Sequence, residues 1–338
     1  MATTFLHIAR FDPRGLVAAW TDTTGRDELV ASIVVAVGSA LLFVALGGLW
    51  FVANVRFTPV WSALAIAAVA GVLAVFYCTV RFRPVFATTL GFVLALQLGS
   101  LFGAATGYLV YSAGAAFPLV DGDLYMIDRA LGFDWAAMLH WFADYPALVR
   151  LTRFAYDQAG PQVGVILLAL LLVCQNVRLM KFVTAQFLAL VIVHSVAIFL
   201  PAVGAYGYLG LTGADHPGMV LTSEGHTVAQ VMQLRTGELF DLARAPMMGL
   251  ITFPSFHTVM ALHSAWALWP VRALRWPAVA FNILVWVGTL LHGSHHLTDT
   301  VAGAVVAVLC IYAAHRLCAL VQPWLFGRAE KTHSPRST

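Results

Sequence analysis

The chain has 338 residues, 60% hydrophobic and only 10% charged, with a mean hydropathy of +0.83 and a formal net charge of +3. Soluble domains carry about 25% charged residues, so the composition excludes an ordinary soluble globule and predicts an integral membrane protein. The scattered Lys and Arg residues form no basic stripe, so no nucleic-acid partner is expected. The four cysteines (Cys78, Cys174, Cys310, Cys318) show no CxxC or CxxH spacing and predict neither a disulfide framework nor a cysteine-held metal.

Residues 1–28 are polar and mixed in charge. They lack the apolar core of a cleavable signal and are expected to be a cytoplasmic tail. A bilayer-spanning helix needs roughly 20 apolar residues. Eight candidates follow: 29–53, 59–80, 84–113, 161–177, 182–203, 256–271, 277–291 and 300–321. The second opens on Pro59, where a missing N–H costs nothing. The third carries a run of small residues (Gly99, Ser100, Gly103, Ala104, Ala105, Gly107), which suits close packing against another helix. The predicted organisation is a helix pair at 29–83, a six-helix bundle at 84–325 and a disordered tail at 326–338.

Two long segments separate the spans. Residues 114–160 hold Asp121, Asp123, Asp128, Arg129 and Asp134 beside Trp135, Trp141 and Tyr145. This reads as one or two amphipathic helices at headgroup level. Residues 204–253 begin with glycine turns (Gly204, Gly207, Gly210, Gly213) and contain a candidate helix at 227–242. Connections of this length are seldom idle, and both are expected to cap a site.

The sixth and seventh spans are short. Pro270 and Pro277 bracket a tight connection containing Arg272 and Arg275. The two spans therefore form an antiparallel hairpin, and its free ends must lie at one membrane face. Those ends carry Pro254-Ser255-Phe256-His257 and the run from His292 to Asp299, His-Gly-Ser-His-His-Leu-Thr-Asp. With both termini inside, thirteen Lys and Arg residues fall inside and six outside. The positive-inside rule then places both motifs at the outer face.

Ionisable groups at such positions need a reason. His295 and Asp299 are four apart and share a face if a helix begins there. The carboxylate can fix the imidazole tautomer and leave the other ring nitrogen free as base or nucleophile. His257 arrives from the other hairpin end. One histidine to attack phosphorus and one to protonate a leaving oxygen make a complete acid–base pair. Ser255 reads as an N-cap, and the N–H groups of a helix start suit an anion. Arg235 is the preferred cationic ligand for a phosphate, with Arg244 second. His292 and His296 are further candidates for substrate contact or support. His7, His140, His194, His216, His226, His263, His315 and His333 read as structural hydrogen-bonders.

These residues resemble the type 2 phosphatidic acid phosphatase superfamily. Pro254-Ser255-Phe256-His257 matches its PSxH motif, and His295 to Asp299 matches its HxxxD motif. The stretch from Gly249 to Thr258, and Asp128-Arg129-Ala130-Leu131-Gly132-Phe133-Asp134-Trp135, resemble the branch related to inositol phosphorylceramide synthase. The resemblance implies His295 as nucleophile forming a phosphohistidine, Asp299 as its orienting partner, His257 as acid for the leaving alcohol, and Ser255 with nearby amides around phosphate oxygens. It implies no metal and no cofactor. The chain departs from the pattern in two places. Thr289 stands where the superfamily's phosphatases carry an arginine, six residues before the nucleophile. Their KxxxxxxRP motif has no clean match, since Arg83-Pro84 lacks the upstream lysine. Both departures lean toward headgroup transfer rather than plain phosphatase activity.

The expectation is an all-α, polytopic membrane enzyme of about eight transmembrane helices with amphipathic extramembrane helices. It would act on a membrane lipid phosphate or phosphodiester at the outer face of a plasma (inner) membrane of a bacterium, with both termini cytoplasmic. Diacyl, sphingoid and polyprenyl lipids all fit. Two alternatives compete. A lipid carrier or channel would explain the spans but not converging His, His and Asp. A di-iron desaturase or hydroxylase would use His292-Gly293-Ser294-His295-His296 as an HxxHH box, but needs about three such boxes.

Overall fold

The computed structural model describes residues 25–46, 55–56, 61–211, 226–242 and 249–326. Among them the regular structure is helical apart from one two-residue strand pair. The helices are α1 (Arg26–Leu46), α2 (Trp61–Thr79), α3 (Pro84–Ala113), α4 (Asp121–Ala130), α5 (Trp135–Ala143), α6 (Pro146–Asp157), α7 (Gln162–Leu172), α8 (Asn176–Phe199), α9 (Ala205–Leu209), α10 (His226–Arg235), α11 (Phe256–Leu268), α12 (Arg272–His292) and α13 (Leu297–Phe326). Strands β1 (Val55–Arg56) and β2 (Phe240–Asp241) pair in parallel, Val55 facing Phe240.

The all-α expectation holds, and a helix lies in each of the eight apolar segments. Four helices (α1, α8, α12, α13) are each long and apolar enough to cross a membrane. A fifth span forms if α6 and α7, bent by 63° at their junction, count as one. The segment predicted at 161–177 is the clearest departure. Its helix is 11 residues long, about 16 Å at 1.5 Å per residue, which is well short of a bilayer core. Cys174, at φ 55, ends it in the left-handed region. Counted as one span with α7, α6, which was expected at headgroup level, would supply the missing length.

Two other boundaries moved for local reasons. α8 starts at Asn176, six residues before the expected 182, because its basic residues have partners. Arg178 donates to the Ala267 and Trp266 carbonyls at the end of α11 and lies over the Trp266 ring. Lys181 pairs with Glu28 of α1 at 2.9 Å. In the hairpin, α12 runs from Arg272 with Pro277 inside it, so the turn is only Trp269–Val271 wide. The segment at 114–160, expected outside the membrane, forms three helices, not one or two.

Small residues set the packing. Ala185, Ala189 and Val193 of α8 meet Val259 of α11 and Ala307, Cys310 and Ala314 of α13. Ala155 and Ala159 lie against Ala261 of α11 and Val285 of α12. Helix association in lipid rests on such close approach. The two helices of the expected N-terminal pair separate. α1 enters the bundle against α3, α8 and α13, whereas α2 packs on α3 and exposes Val69, Val72 and Val75. A second layer covers one end of the bundle, with Trp135, Leu139, Phe142 and Val149 packed on Tyr206 and Leu291.

Candidate active site

The site lies where three chain segments meet at one end of the bundle: 201–206, 252–258 and 292–299. Gly204 is the hinge of the first. Its φ is +87, and a Cβ there would sit 2.6 Å from the Ser294 carbonyl oxygen, so only glycine fits. Ala205 N–H donates to Ser294 O and Tyr206 N–H to Ser294 Oγ, both at 2.7 Å. These bonds hold Ser294 at φ 59, a left-handed conformation uncommon for a residue with a side chain. Ser294 thereby turns the chain from α12 into the start of α13.

His295 follows that turn and is 3% exposed. Its Nδ1 lies 3.2 Å from Asp299 Oδ2. A carboxylate only accepts, so Nδ1 carries the proton and Nε2 presents a lone pair. Nε2 faces Ser255 Oγ at 3.4 Å. Ser255 is the N-cap of α11 and is fully buried. Its Oγ accepts from Thr258 N–H at 3.3 Å and its own N–H donates to Asp299 O at 3.0 Å. Asp299 Oδ2 also accepts from His296 N–H at 3.0 Å. His257, in the first turn of α11, completes the group. Its ring centroid is 6.3 Å from that of His295 and 4.4 Å from that of Tyr156, on which it stacks at 22°.

The hairpin thus brings His257, His295, Asp299 and Ser255 together. The other predicted ligands lie elsewhere. Arg235 donates to Gly114 O at 3.2 Å and Phe117 O at 2.5 Å. It caps the end of α3 and is spent on main-chain carbonyls rather than on the cavity. Arg244 lies outside the described residues. His292 faces Thr152 Oγ1 of α6 at 3.1 Å and is fully buried. His296 sits between two carboxylates, 3.6 Å from Asp121 Oδ1 and 3.5 Å from Asp128 Oδ2. The three histidines of the HxxHH run therefore turn to three different partners. Among the described residues no group of three His, Cys, Asp or Glu is placed to hold one ion.

Sequence reasoning missed the two carboxylates as parts of the site. Asp121 accepts from Val203 N–H and Gly204 N–H at 2.8–3.1 Å. Asp128 accepts from Leu297 N–H and Thr298 N–H at 2.8 Å, and from the Thr298 hydroxyl at 2.5 Å. It caps α13 from another helix and favours the positive end of its dipole. Burial alone would raise the Asp128 carboxyl, but the His296 ring 3.5 Å away and hydrogen bonds from Thr298 and Leu297 hold it below the ordinary carboxylate range. Burial alone would likewise depress His296, yet the carboxylates of Asp121 and Asp128 at 3.5–3.6 Å, with the charge of Asp299, push it up to about 9. A signal was present: Asp121, Leu124 and Asp128 repeat as one helical face and are the buried residues of α4.

A cavity of about 430 Å³ opens beside His257 and His295 and runs between α3, α8 and α11. Gly99, Gly103 and Gly107 give one wall its room, and Phe92, Phe182, Phe187 and Leu190 line the rest. Such a volume is in the usual range for a small-molecule site, roughly 300–1,000 Å³. No Lys or Arg lines it among the described residues.

A family model described as the PAP2 superfamily matches residues 122–313, from α4 through most of α13. The chain belongs to the PAP2 superfamily. No curated protein and no solved structure gives a significant match. PAP2 membership implies phosphatase-type activity, and with several apolar helices it fits a lipid phosphate substrate in a bilayer. The matched region contains each side chain of the His257, His295, Asp299 and Ser255 group, and also Tyr156 and Asp128.

Proposed function

We propose that this PAP2 protein is a metal-independent phosphotransferase that cleaves a lipid phosphodiester through a phosphohistidine on His295. The carrying observation is the polarity of that ring. Asp299 accepts a hydrogen bond from Nδ1–H, so the Nε2 lone pair points at Ser255 Oγ beside the cavity. Nε2 attacks phosphorus and the bond to the leaving alcohol breaks. Protonated His257 gives its proton to that oxygen. An acceptor alcohol then attacks the phosphohistidine while His257 takes its proton back, and His295 is restored. Asp299 stabilises the charge on the phosphorylated ring. Ser255 Oγ and the first N–H groups of α11 hold phosphoryl oxygens.

Two features favour a diester over a monoester. Around His295 three carboxyl groups, Asp121, Asp128 and Asp299, stand against two potential cations, His296 and the acid form of His257. The cavity wall adds no Lys or Arg among the described residues. A doubly charged monoester would meet net repulsion in a dry site, where charge interactions are strong, and a singly charged diester meets less. Burial of Ser255, His295 and Asp299 favours an alcohol over bulk water as acceptor. The Lys/Arg bias of the connecting segments favours a site at the outer face of a plasma membrane, with the termini cytoplasmic.

The test is turnover of a panel of lipid monoesters and diesters by purified protein in mixed micelles, with and without acceptor alcohols. Transfer should survive EDTA and build acid-labile, base-stable protein phosphate that His295→Ala abolishes. Activity retained in His295→Ala would overturn the nucleophile. Turnover confined to monoesters would overturn the diester assignment.

A further inference from the structure

A cavity built for a phosphoryl group needs hydrogen-bond donors aimed at its oxygens, and here the usual candidates are engaged. Arg235 is bound to the end of α3. The Thr289 hydroxyl donates to Val285 O at 2.8 Å within α12. His292 and His296 face Thr152, Asp121 and Asp128. Among the described residues two hydroxyls of the cavity wall make no hydrogen bond, those of Thr227 and Tyr156, and Tyr156 is the one beside the histidine pair. It lines the cavity together with His257, Gly293 and His295.

Several contacts fix where Tyr156 sits. α6 crosses α12 at Gly288, where a Cβ would fall 2.6 Å from Thr152 O and 3.0 Å from Tyr156 Cβ. The helices can approach this closely only because residue 288 has no side chain. Thr152, one turn before Tyr156, locks the register through His292 at 3.1 Å. The Tyr156 ring then lies flat on His257, with centroids 4.4 Å apart. Its edge reaches the start of the nucleophile loop. A Cβ on Gly293 would lie 3.2 Å from Tyr156 Cε2 and 2.8 Å from His295 Cδ2. The phenol edge and the His295 edge thus converge on one glycine. A tyrosine hydroxyl in an apolar setting ordinarily finds a partner, but among the described residues this one makes no hydrogen bond.

We infer that Tyr156 is a substrate-binding residue, its phenol O–H donating to a nonbridging oxygen of the transferring phosphodiester. The chemistry matches the electrostatics. A neutral donor stabilises charge on a phosphoryl oxygen without requiring a counter-anion, and it suits a singly charged diester. The ring has a second duty, since its face holds the plane of the His257 imidazole. α6 is therefore part of the reaction centre and not only a cap over it. The inference rests on the phosphotransfer reading, and its test separates the two.

Tyr156→Phe keeps the ring and its stack on His257 and removes only the hydroxyl. Loss of one donor to a charged oxygen should lower kcat/KM by roughly 10- to 100-fold while leaving the pH profile of turnover unchanged. Tyr156→Leu, which also loses the stacked ring, should shift that profile. Binding of inorganic vanadate, a phosphoryl mimic, is read without turnover from its protection against thermal unfolding. Tyr156→Phe should weaken it by a similar factor. Wild-type kcat/KM and wild-type vanadate protection in Tyr156→Phe would overturn the role of Tyr156, whatever the substrate. If the wild type transfers no diester yet binds vanadate, the diester reading falls and the vanadate comparison still decides Tyr156. A wild type that neither turns over lipid phosphate nor binds vanadate overturns both.

Discussion

His296 makes the stability of this protein depend on pH between neutrality and mild alkali. Its imidazole is fully buried and faces Asp121, Asp128 and Asp299, with Tyr208 across a ring gap of 6.3 Å. Its folded-state value, about 9, lies above the ordinary 6.5. A raised histidine contributes stability that is complete below its unfolded value and is lost as pH rises through its folded one. The gap corresponds to about 3 kcal/mol, a sizeable share of a typical 5–15 kcal/mol. At about 2.1 cal/mol/K per residue this is about 4 °C in Tm. Asp128, held low, acts in the opposite direction and only in acid. Thermal unfolding in detergent should therefore show Tm falling between pH 6.5 and 9. His296→Gln should unfold earlier at pH 6 and lose most of that slope. A wild-type Tm that is flat or rises across this window, or an unchanged slope in His296→Gln, would refute the clamp.

Three further perturbations follow from the same geometry. Asp299→Asn keeps the shape but no longer fixes Nδ1–H on His295, so kcat should fall by about 10³- to 10⁴-fold with little change in Tm, as read by initial rates on the preferred lipid. Gly204→Ala places a Cβ against Ser294 O at a positive φ. It should destabilise by more than about 1 kcal/mol and cut activity by displacing Ser294, which unfolding curves and rates would show together. Arg235→Gln should leave kcat/KM near wild type while lowering Tm slightly, since the guanidinium caps α3. A large rise in KM would return it to the phosphate site.

The approach of His257 to His295 was legible because its logic is one of chain length. Two short apolar runs joined by a tight turn must return the chain to the face it left, so His257 and His295 had to meet. The His295–Asp299 pair could be read because four residues make one helical turn. Arg235 misled for the opposite reason. Sequence gives its charge and its side of the membrane, but not that two carbonyls at the end of α3 would claim it. The HxxHH run had the right spacing for a metal box, but neighbours in sequence turned to Asp121, Asp128, Asp299 and Thr152, which come from three helices.

Composition, apolar run lengths and two motifs determined by themselves that this chain is a helical membrane protein of the PAP2 type with His257 and His295 close together. These are local properties, fixed by the 1.5 Å rise of a helix and the thickness of a bilayer. Only the tertiary structure decided which side chains complete the site. Tyr156 reaches His257 because Gly288 lets α6 press against α12. Asp128 caps α13 across 169 residues of sequence. Contacts of that kind depend on how helices cross, and no periodicity along a single segment encodes the crossing.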